Sequence, residues 1–325
     1  MSTETMKAIQ VYETGGPEVL IYENVPRPVA GPGEVLIRVY AVGTNPAEWR
    51  GRAGFPGVPE ELLRTFPPIP RPYIPGTDVS GIVEAVGPDV TRFHEGDAVY
   101  GMLRFPQGGR AYAEYTTAPV TDIALKPATI DHIHAAAIPM AALTAWQLLC
   151  PDLEAGQTVL INGAAGGVGH FAVQLAKLKG ARVIGVASGR NAAFLRDMGV
   201  DEFVDYTTTP VEQTVHDVDL VFDTVGGEQG DRLLSVLRRG GRLIPINIGN
   251  YSDVHIAEAG VIRGTSHQRR LYPSGEQLTE IGKLIDAGNL RVFVEKVFPL
   301  SEARKAHEFV ESHHLRGKMV LNIVE

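Results

Sequence analysis

The chain has 325 residues, a net charge of −8 at pH 7 and one cysteine. At roughly 100–200 residues per domain this length implies two domains, with a core large enough to need no disulfide staples. Cys150 alone excludes an internal disulfide and a multi-cysteine zinc site and points to a reducing compartment. The acidic balance argues against nucleic acid or an anionic membrane as partner.

Met1–Thr5 is polar, and Met6–Val11 reads as the start of an alternating strand rather than a signal core. Residues 1–126 then carry short alternating or β-branched runs at Lys7–Tyr12, Val35–Val42, Ser80–Val86 and Ala98–Gly101. Dense turn signals such as Gly15-Gly16-Pro17 and Gly31-Pro32-Gly33 separate them, which predicts an all-β unit. The segment Gly54–Gly76 holds seven of the 22 prolines, so it reads as a long, stiff loop, of a kind often functional, and it carries Phe55, Phe66 and Tyr73. The richest apolar run, Ala135–Leu149, is interrupted by Pro139, Thr144 and Gln147 and falls short of the ~20 residues that span a bilayer. The expectation is a cytoplasmic protein with no membrane partner.

Residues 127–272 change rhythm. Apolar runs at Thr158–Asn162, Arg182–Ala187, Glu202–Tyr206, Asp219–Thr224, Gly241–Ile246 and Val261–Gly264 alternate with helical patterns such as Val168–Leu178 and Asn191–Met198. That alternation predicts an α/β unit with a doubly wound parallel sheet covered on both faces. Residues 273–325 predict a helix (Gly275–Ala287), a strand (Phe293–Phe298), a helix (Ser301–Glu311) and a last strand (Lys318–Val324).

The sharpest motif is Thr158–Asn162 followed by Gly163-Ala164-Ala165-Gly166-Gly167-Val168-Gly169 and a helix. Counted from Ala164 it is A-x-G-x-x-G, with Gly166 where backbone approaches a pyrophosphate and Gly169 where the helix packs on the strand. Ala164 departs from the fingerprint at its first place. The strand before and the helix after supply the context the pattern requires. An NAD site carries a carboxylate at the end of the second strand, whereas this chain ends that strand with Ala187-Ser188-Gly189-Arg190-Asn191. A guanidinium pairs with a 2′-phosphate, so Ser188 and Arg190 point to NADP(H).

These residues, with others in order along the chain, resemble the zinc-independent quinone oxidoreductase (zeta-crystallin-like) group of the medium-chain dehydrogenase/reductases. The similarity runs through Gly15–Leu20, Pro32–Leu36, Val42–Trp49, Pro75–Gly81, Gly96–Gly101, Ala141–Trp146, the glycine-rich turn, Asp223–Gly227 and Arg316–Leu321. The resemblance implies a GroES-like β-rich catalytic domain built from both chain ends, with the Rossmann domain between them and the active site in the cleft. Zinc-dependent relatives carry Cys where this chain has Thr44-Asn45-Pro46, His-Glu where it has Thr77-Asp78, and a four-cysteine loop that is absent here. The expectation is therefore no metal. The pairs His132/His134 and His313/His314 read as surface or capping residues rather than ligands.

The resemblance implies NADPH-driven reduction of a quinone or an α,β-unsaturated carbonyl. An enoyl-thioester reductase, an alcohol dehydrogenase-like enzyme and a non-catalytic NADPH-binding protein are the alternatives. By position in the family motifs, Asn45 and Thr144 fall at the nicotinamide end, with an Asx turn and a buried hydroxyl as their structural readings. Tyr206, Thr224 and Val225 fall on the adenosine side, Ile246 and Asn247 at a strand end where ligands bind, and Lys318 caps the site or is solvated. Trp49 and Arg50 stand where some relatives place a proton-donating tyrosine, leaving Tyr100 or bound water as donor. Family members are commonly dimers, which makes Val261–Gly264 a candidate homodimer edge.

Overall fold

The computed structural model describes residues 4–58, 60, 70–227, 230–246, 251–264, 271–312 and 315–324. They form two compact units. One comprises Met1–Leu143, Tyr272–His314 and Lys318–Glu325; the other comprises Thr144–Leu271 and Leu315–Gly317.

In the first unit, β1 (Thr5–Val11) and β2 (Leu20–Pro26) form an antiparallel ribbon, Thr5 opposite Pro26. A seven-stranded sheet contains β3 (Glu34–Gly43), β4 (Asp78–Val86), β5 (Ala98–Met102), β6 (Tyr115–Pro119), β7 (Ile123–Leu125), β14 (Val294–Pro299) and β15 (Lys318–Asn322). Its order is β14-β15-β3-β4-β5-β7, with β6 also on β3, and every pairing but β14–β15 is antiparallel. Val35, Ile37 and Val39 of β3 are fully buried, the period-2 signature of a strand with one face on a core. Five helices belong here wholly or nearly so: α1 (Pro46–Arg52), α2 (His132–Ala136), α3 (Pro139–Thr144), α7 (Gly275–Asp286) and α8 (Ala303–Ser312). Ala136 and Ala137 pack against Ala41 of β3 and Val320 of β15, with Ile133 beside them. This packing carries the unit to Leu143, beyond the boundary at 126 expected from texture.

The second unit holds β8 (Thr158–Asn162), β9 (Arg182–Ala187), β10 (Glu202–Asp205), β11 (Val218–Asp223), β12 (Leu237–Pro245) and β13 (Ile262–Arg263), with α4 (Gly169–Leu178), α5 (Ala192–Asp197) and α6 (Asp253–Ala259). All strand pairings are parallel, in the order β10-β9-β8-β11-β12-β13. Numbered from β8, this is the 3-2-1-4-5-6 order of a doubly wound dinucleotide-binding sheet, and its order reverses between β8 and β11. Leu160, Ile184, Val204, Val221 and Leu243 build its core with Leu233 and Ile256. The strands are near-continuous apolar runs because both faces are covered. β13 is shorter than the expected Val261–Gly264, and β12 is longer than Gly241–Ile246 because its first residues pair through a register shift. Residues 315–317 join this unit, where Gly317 N donates to Ala165 O at 2.8 Å. Three residues carry no periodicity, so the excursion has no signature in the sequence.

Candidate active site and cofactor-binding turn

In the first unit β3 runs into α1 through Thr44-Asn45-Pro46. Asn45 is the N-cap in extended conformation and Pro46 starts the helix with its fixed φ. Glu48 reaches back so that its Oε2 accepts the Asn45 backbone N–H at 2.5 Å. The Asn45 side chain also reaches across to two other segments. Its Nδ2 donates to Asp78 Oδ2 at 3.1 Å, and its Oδ1 accepts from Lys318 Nζ. Lys318 Nζ also donates to Thr44 O at 2.7 Å and lies 3.7 Å from Asp78 Oδ2. Asp78 Oδ1 accepts the Met140 N–H at 2.9 Å. Because an ammonium only donates and an ionised carboxylate only accepts, the two partners fix which way the Asn45 amide points.

Asn45, Glu48, Asp78 and Lys318 are all buried, so two carboxyls and one ammonium share a low-dielectric interior. Burial raises Glu48 to about 7, with the Asp78 charge adding to the effect. Burial likewise raises Asp78 to about 6 against the pull of Lys318, and lowers Lys318 against the pull of both acids. Hydrogen bonds from the Thr77 side chain and the Asn45 backbone N–H pull Glu48 the other way, but burial prevails.

Tyr100 lies elsewhere in this unit. It is fully buried, and its hydroxyl donates at 2.5 Å to Leu278 O of α7. Burial holds its pKa far above the ordinary value. Its proton is committed to the core, so the proton-donor role expected from sequence does not fit. Buried Tyr112 and His307 and half-buried Trp49 form an aromatic group, with the Tyr112 hydroxyl 3.2 Å from His307 Nε2.

In the second unit, β8 ends in the glycine-rich turn. Gly163 has φ +75°, and a Cβ there would sit 2.4 Å from Thr224 Oγ1. The tight turn is therefore made at Gly163, one residue before Ala164, which explains why Ala164 is tolerated at the fingerprint's first place. A Cβ on Gly169 would lie 2.2 Å from Gly163 O, so only glycine lets α4 pack this closely on the turn. At Gly166 the nearest atom would be 3.3 Å away. Gly166, Gly167 and Val168 are half-exposed at the tip, while Ala164 is buried. The backbone at the tip of the turn is therefore open.

Beside it, Asp223 at the end of β11 is wholly buried, with its carboxylate accepting from Asn162 Nδ2, Val225 N, Gly226 N and the Tyr251 hydroxyl. Thr224 Oγ1 donates to Asn162 O at 2.7 Å, so Thr224 shapes the turn. Val225 and Tyr206 are exposed, Ser188 and Ile246 half-buried and Arg190 exposed. Thr144 is buried at the end of α3 and assigned to this unit. Asn247, Phe66, His313 and His314 lie outside the described residues. Sequence reading missed Asp223 as the organiser of this turn; its signal was an acid directly ending the apolar run Leu220–Phe222 of a parallel strand.

The described residues do not fit a zinc ion. Among them no three His, Cys, Asp or Glu side chains converge. Asn45 and Thr77 stand at the expected ligand places, and a second cation beside Asp78 would face the Lys318 ammonium. Burial pushes the Cys150 thiol up to about 11, away from the thiolate that metals bind. His132 Nδ1 bonds with Ser80 Oγ at 2.8 Å, and His134 pairs with Asp131, which caps α2.

A GroES-like unit and a dinucleotide-binding unit with an open glycine cradle define an oxidoreductase that uses a nicotinamide cofactor. Residues 31–128 match the alcohol dehydrogenase GroES-like domain, and 198–321 match a model described as zinc-binding dehydrogenase. The chain is 33% identical to the quinone oxidoreductase of Sus scrofa, over 97% of each chain. It is 32% identical to the chloroplastic NADPH-dependent alkenal/one oxidoreductase of Arabidopsis thaliana, over 97% of this chain and 79% of that one. The solved quinone oxidoreductase from Coxiella burnetii superposes with a TM-score of 0.87 at 34% identity, covering 99% of this chain and 100% of that one. The chain belongs to the quinone oxidoreductase (zeta-crystallin-like) group of the medium-chain dehydrogenase/reductases, whose relatives act on small molecules.

Proposed function

We propose that the protein is an NADPH-dependent reductase of quinones or α,β-unsaturated carbonyls that works without zinc. The observation that carries this reading is the Lys318–Asn45–Asp78 network, which puts an ammonium and an amide where zinc-dependent relatives bring a metal. Without a Lewis acid to hold an alkoxide, alcohol oxidation loses its main stabilisation. The printed names of the porcine and Arabidopsis relatives point the same way.

Gly166, Gly167, Val168 and Gly169, with Ala164 beneath them, would hold the pyrophosphate. Ser188 and Arg190 would hold the 2′-phosphate, Tyr206, Thr224 and Val225 the adenosine side, Ile246 and Asn247 a strand-end contact, and Thr144 and Asn45 the nicotinamide end. Bound NADPH would supply a hydride for the acceptor's β-carbon or quinone ring. Asn45, oriented by Lys318 and Asp78, would present its amide in one fixed sense; Lys318 is thus a support for Asn45 rather than a cap over the cofactor. With the Tyr100 hydroxyl bonded to Leu278, we assign the final proton to water.

The test is product analysis with an enone. Saturated ketone supports the reading; allylic alcohol, or oxidation of added alcohol by NADP, overturns it. A saturated thioester formed only from enoyl thioesters would instead assign the enoyl-thioester class, and tight NADPH binding with no product a non-catalytic role. We further propose a cytoplasmic homodimer joined at β13, the edge of the parallel sheet, where Ile262 is exposed. Light scattering of wild type and Ile262→Lys, alongside cell fractionation, tests both parts. Among the described residues no helix is long and apolar enough to cross a membrane.

A further inference from the structure

The turn after β9 is shaped by a residue from the far end of the chain. Asn191 Nδ2 donates to Ser188 Oγ at 3.1 Å, and Arg316 Nε donates to Asn191 Oδ1 at 3.0 Å. Arg316 Nη2 is 3.4 Å from Arg190 O, and the guanidinium carbon sits 5.3 Å from the Phe194 ring centroid. Gly317, the next residue, is pinned to Ala165 O of the glycine-rich turn. The guanidinium is therefore held by a ring, a side-chain amide and a backbone carbonyl beside the residues that end the second strand. That strand end is where this fold receives the adenosine ribose.

Charge makes the placement informative. The Asp205 carboxylate faces the same turn: it accepts the Gly189 backbone N–H, and a Cβ on Gly189 would lie 2.3 Å from its Oδ2. With Arg190 alone, Asp205 would cancel the positive charge of the turn, and a dianionic phosphate would meet no net attraction. A second guanidinium restores a positive balance, and its planar fork suits phosphate oxygens.

We infer that Arg316 is a specificity-determining residue that reads the 2′-phosphate of NADPH together with Ser188 and Arg190. This rests on the NADPH reading above. The alternative role for the same side chain is stacking on the adenine, which NADPH and NADH share.

Calorimetric titration of the full-length protein with NADPH and with NADH separates these cases. Arg316→Met is expected to weaken NADPH binding by roughly ten- to hundredfold, the range of a charged hydrogen bond, and to leave NADH binding unchanged. Arg316→Lys keeps the charge but loses the fork, so its loss should be intermediate and again confined to NADPH. Added salt should narrow the wild-type preference. Equal losses for both cofactors, or none for either, overturn the inference while leaving the NADPH reading intact if wild type prefers NADPH. Equal wild-type affinities for the two cofactors overturn that reading itself. Should Arg316→Met not fold, shown by circular dichroism, the lysine variant decides by the same comparison.

Discussion

Replacing Lys318 by Met removes the one ammonium from a buried group that holds two carboxyls. Lys318 is 4% exposed and Asp78 fully buried, so neither side can turn to water. Removing one partner of a buried pair costs ~3–5 kcal/mol when the other stays charged. Here the remaining acids can escape by taking up protons. Both are already raised, Asp78 to about 6 and Glu48 to about 7, and the ammonium is among the influences that hold them down. Without it they rise further. A raised carboxyl contributes stability that is complete below its unfolded value and lost as pH rises through its folded value. The penalty of Lys318→Met should therefore be small near pH 5, roughly the ~1–3 kcal/mol of the donors withdrawn from Thr44 O and Asn45 Oδ1. By pH 8 it should grow to the ~3–5 kcal/mol of an uncompensated charge. Urea unfolding in a Trp146→Phe background, followed by Trp49 fluorescence, reads the first unit alone. Equal penalties at the two pH values, or a larger one at pH 5, would refute the charge argument.

Arg190→Ala should weaken NADPH by roughly ten- to hundredfold and spare NADH, since the charged hydrogen bond at stake is worth ~1.5–3 kcal/mol; equal losses in titrations with both would remove Arg190 from the phosphate site. Gly169→Ala puts a methyl 2.2 Å from Gly163 O and should destabilise by at least ~1–3 kcal/mol and abolish cofactor binding, read by thermal shift with and without NADPH. Gly166→Ala meets its nearest atom at 3.3 Å, so the fold should survive while NADPH binding weakens; unchanged binding would place the pyrophosphate elsewhere. Tyr100→Phe removes a second donor from Leu278 O, which keeps its helical partner, so it should cost only ~0.5–1.5 kcal/mol of stability while turnover stays at the wild-type level. A large fall in kcat would return Tyr100 to the mechanism.

The parallel sheet was legible because β8, β9 and β11 are buried on both faces and so read as apolar runs, and because the turn needs glycine at two backbone contacts. The antiparallel unit was legible through its alternation and turn residues, although β2, with only Leu20 and Val25 buried, left little pattern to find. The network around Asn45 was hidden for a different reason. Asn45, Asp78 and Lys318 lie far apart in sequence, and only the pairing of β15 with β3 and of β3 with β4 brings them together. Lys318 read as a cap over the site or a solvated lysine, and its burial was not legible because residue type predicts exposure and the two acids that permit burial are contributed by other segments. Tyr100 misled similarly: a tyrosine in a family motif suggested chemistry, whereas α7, nearly 180 residues on, takes its hydroxyl.

Steady-state NADPH consumption by chelator-dialysed protein, across a panel of quinones and α,β-unsaturated carbonyls, tests the central claim most directly. The account predicts turnover with at least one quinone or α,β-unsaturated carbonyl, unchanged by the chelator and slower with NADH. Activity that appears only with added zinc and an alcohol, or no NADPH consumption with any acceptor, would contradict it.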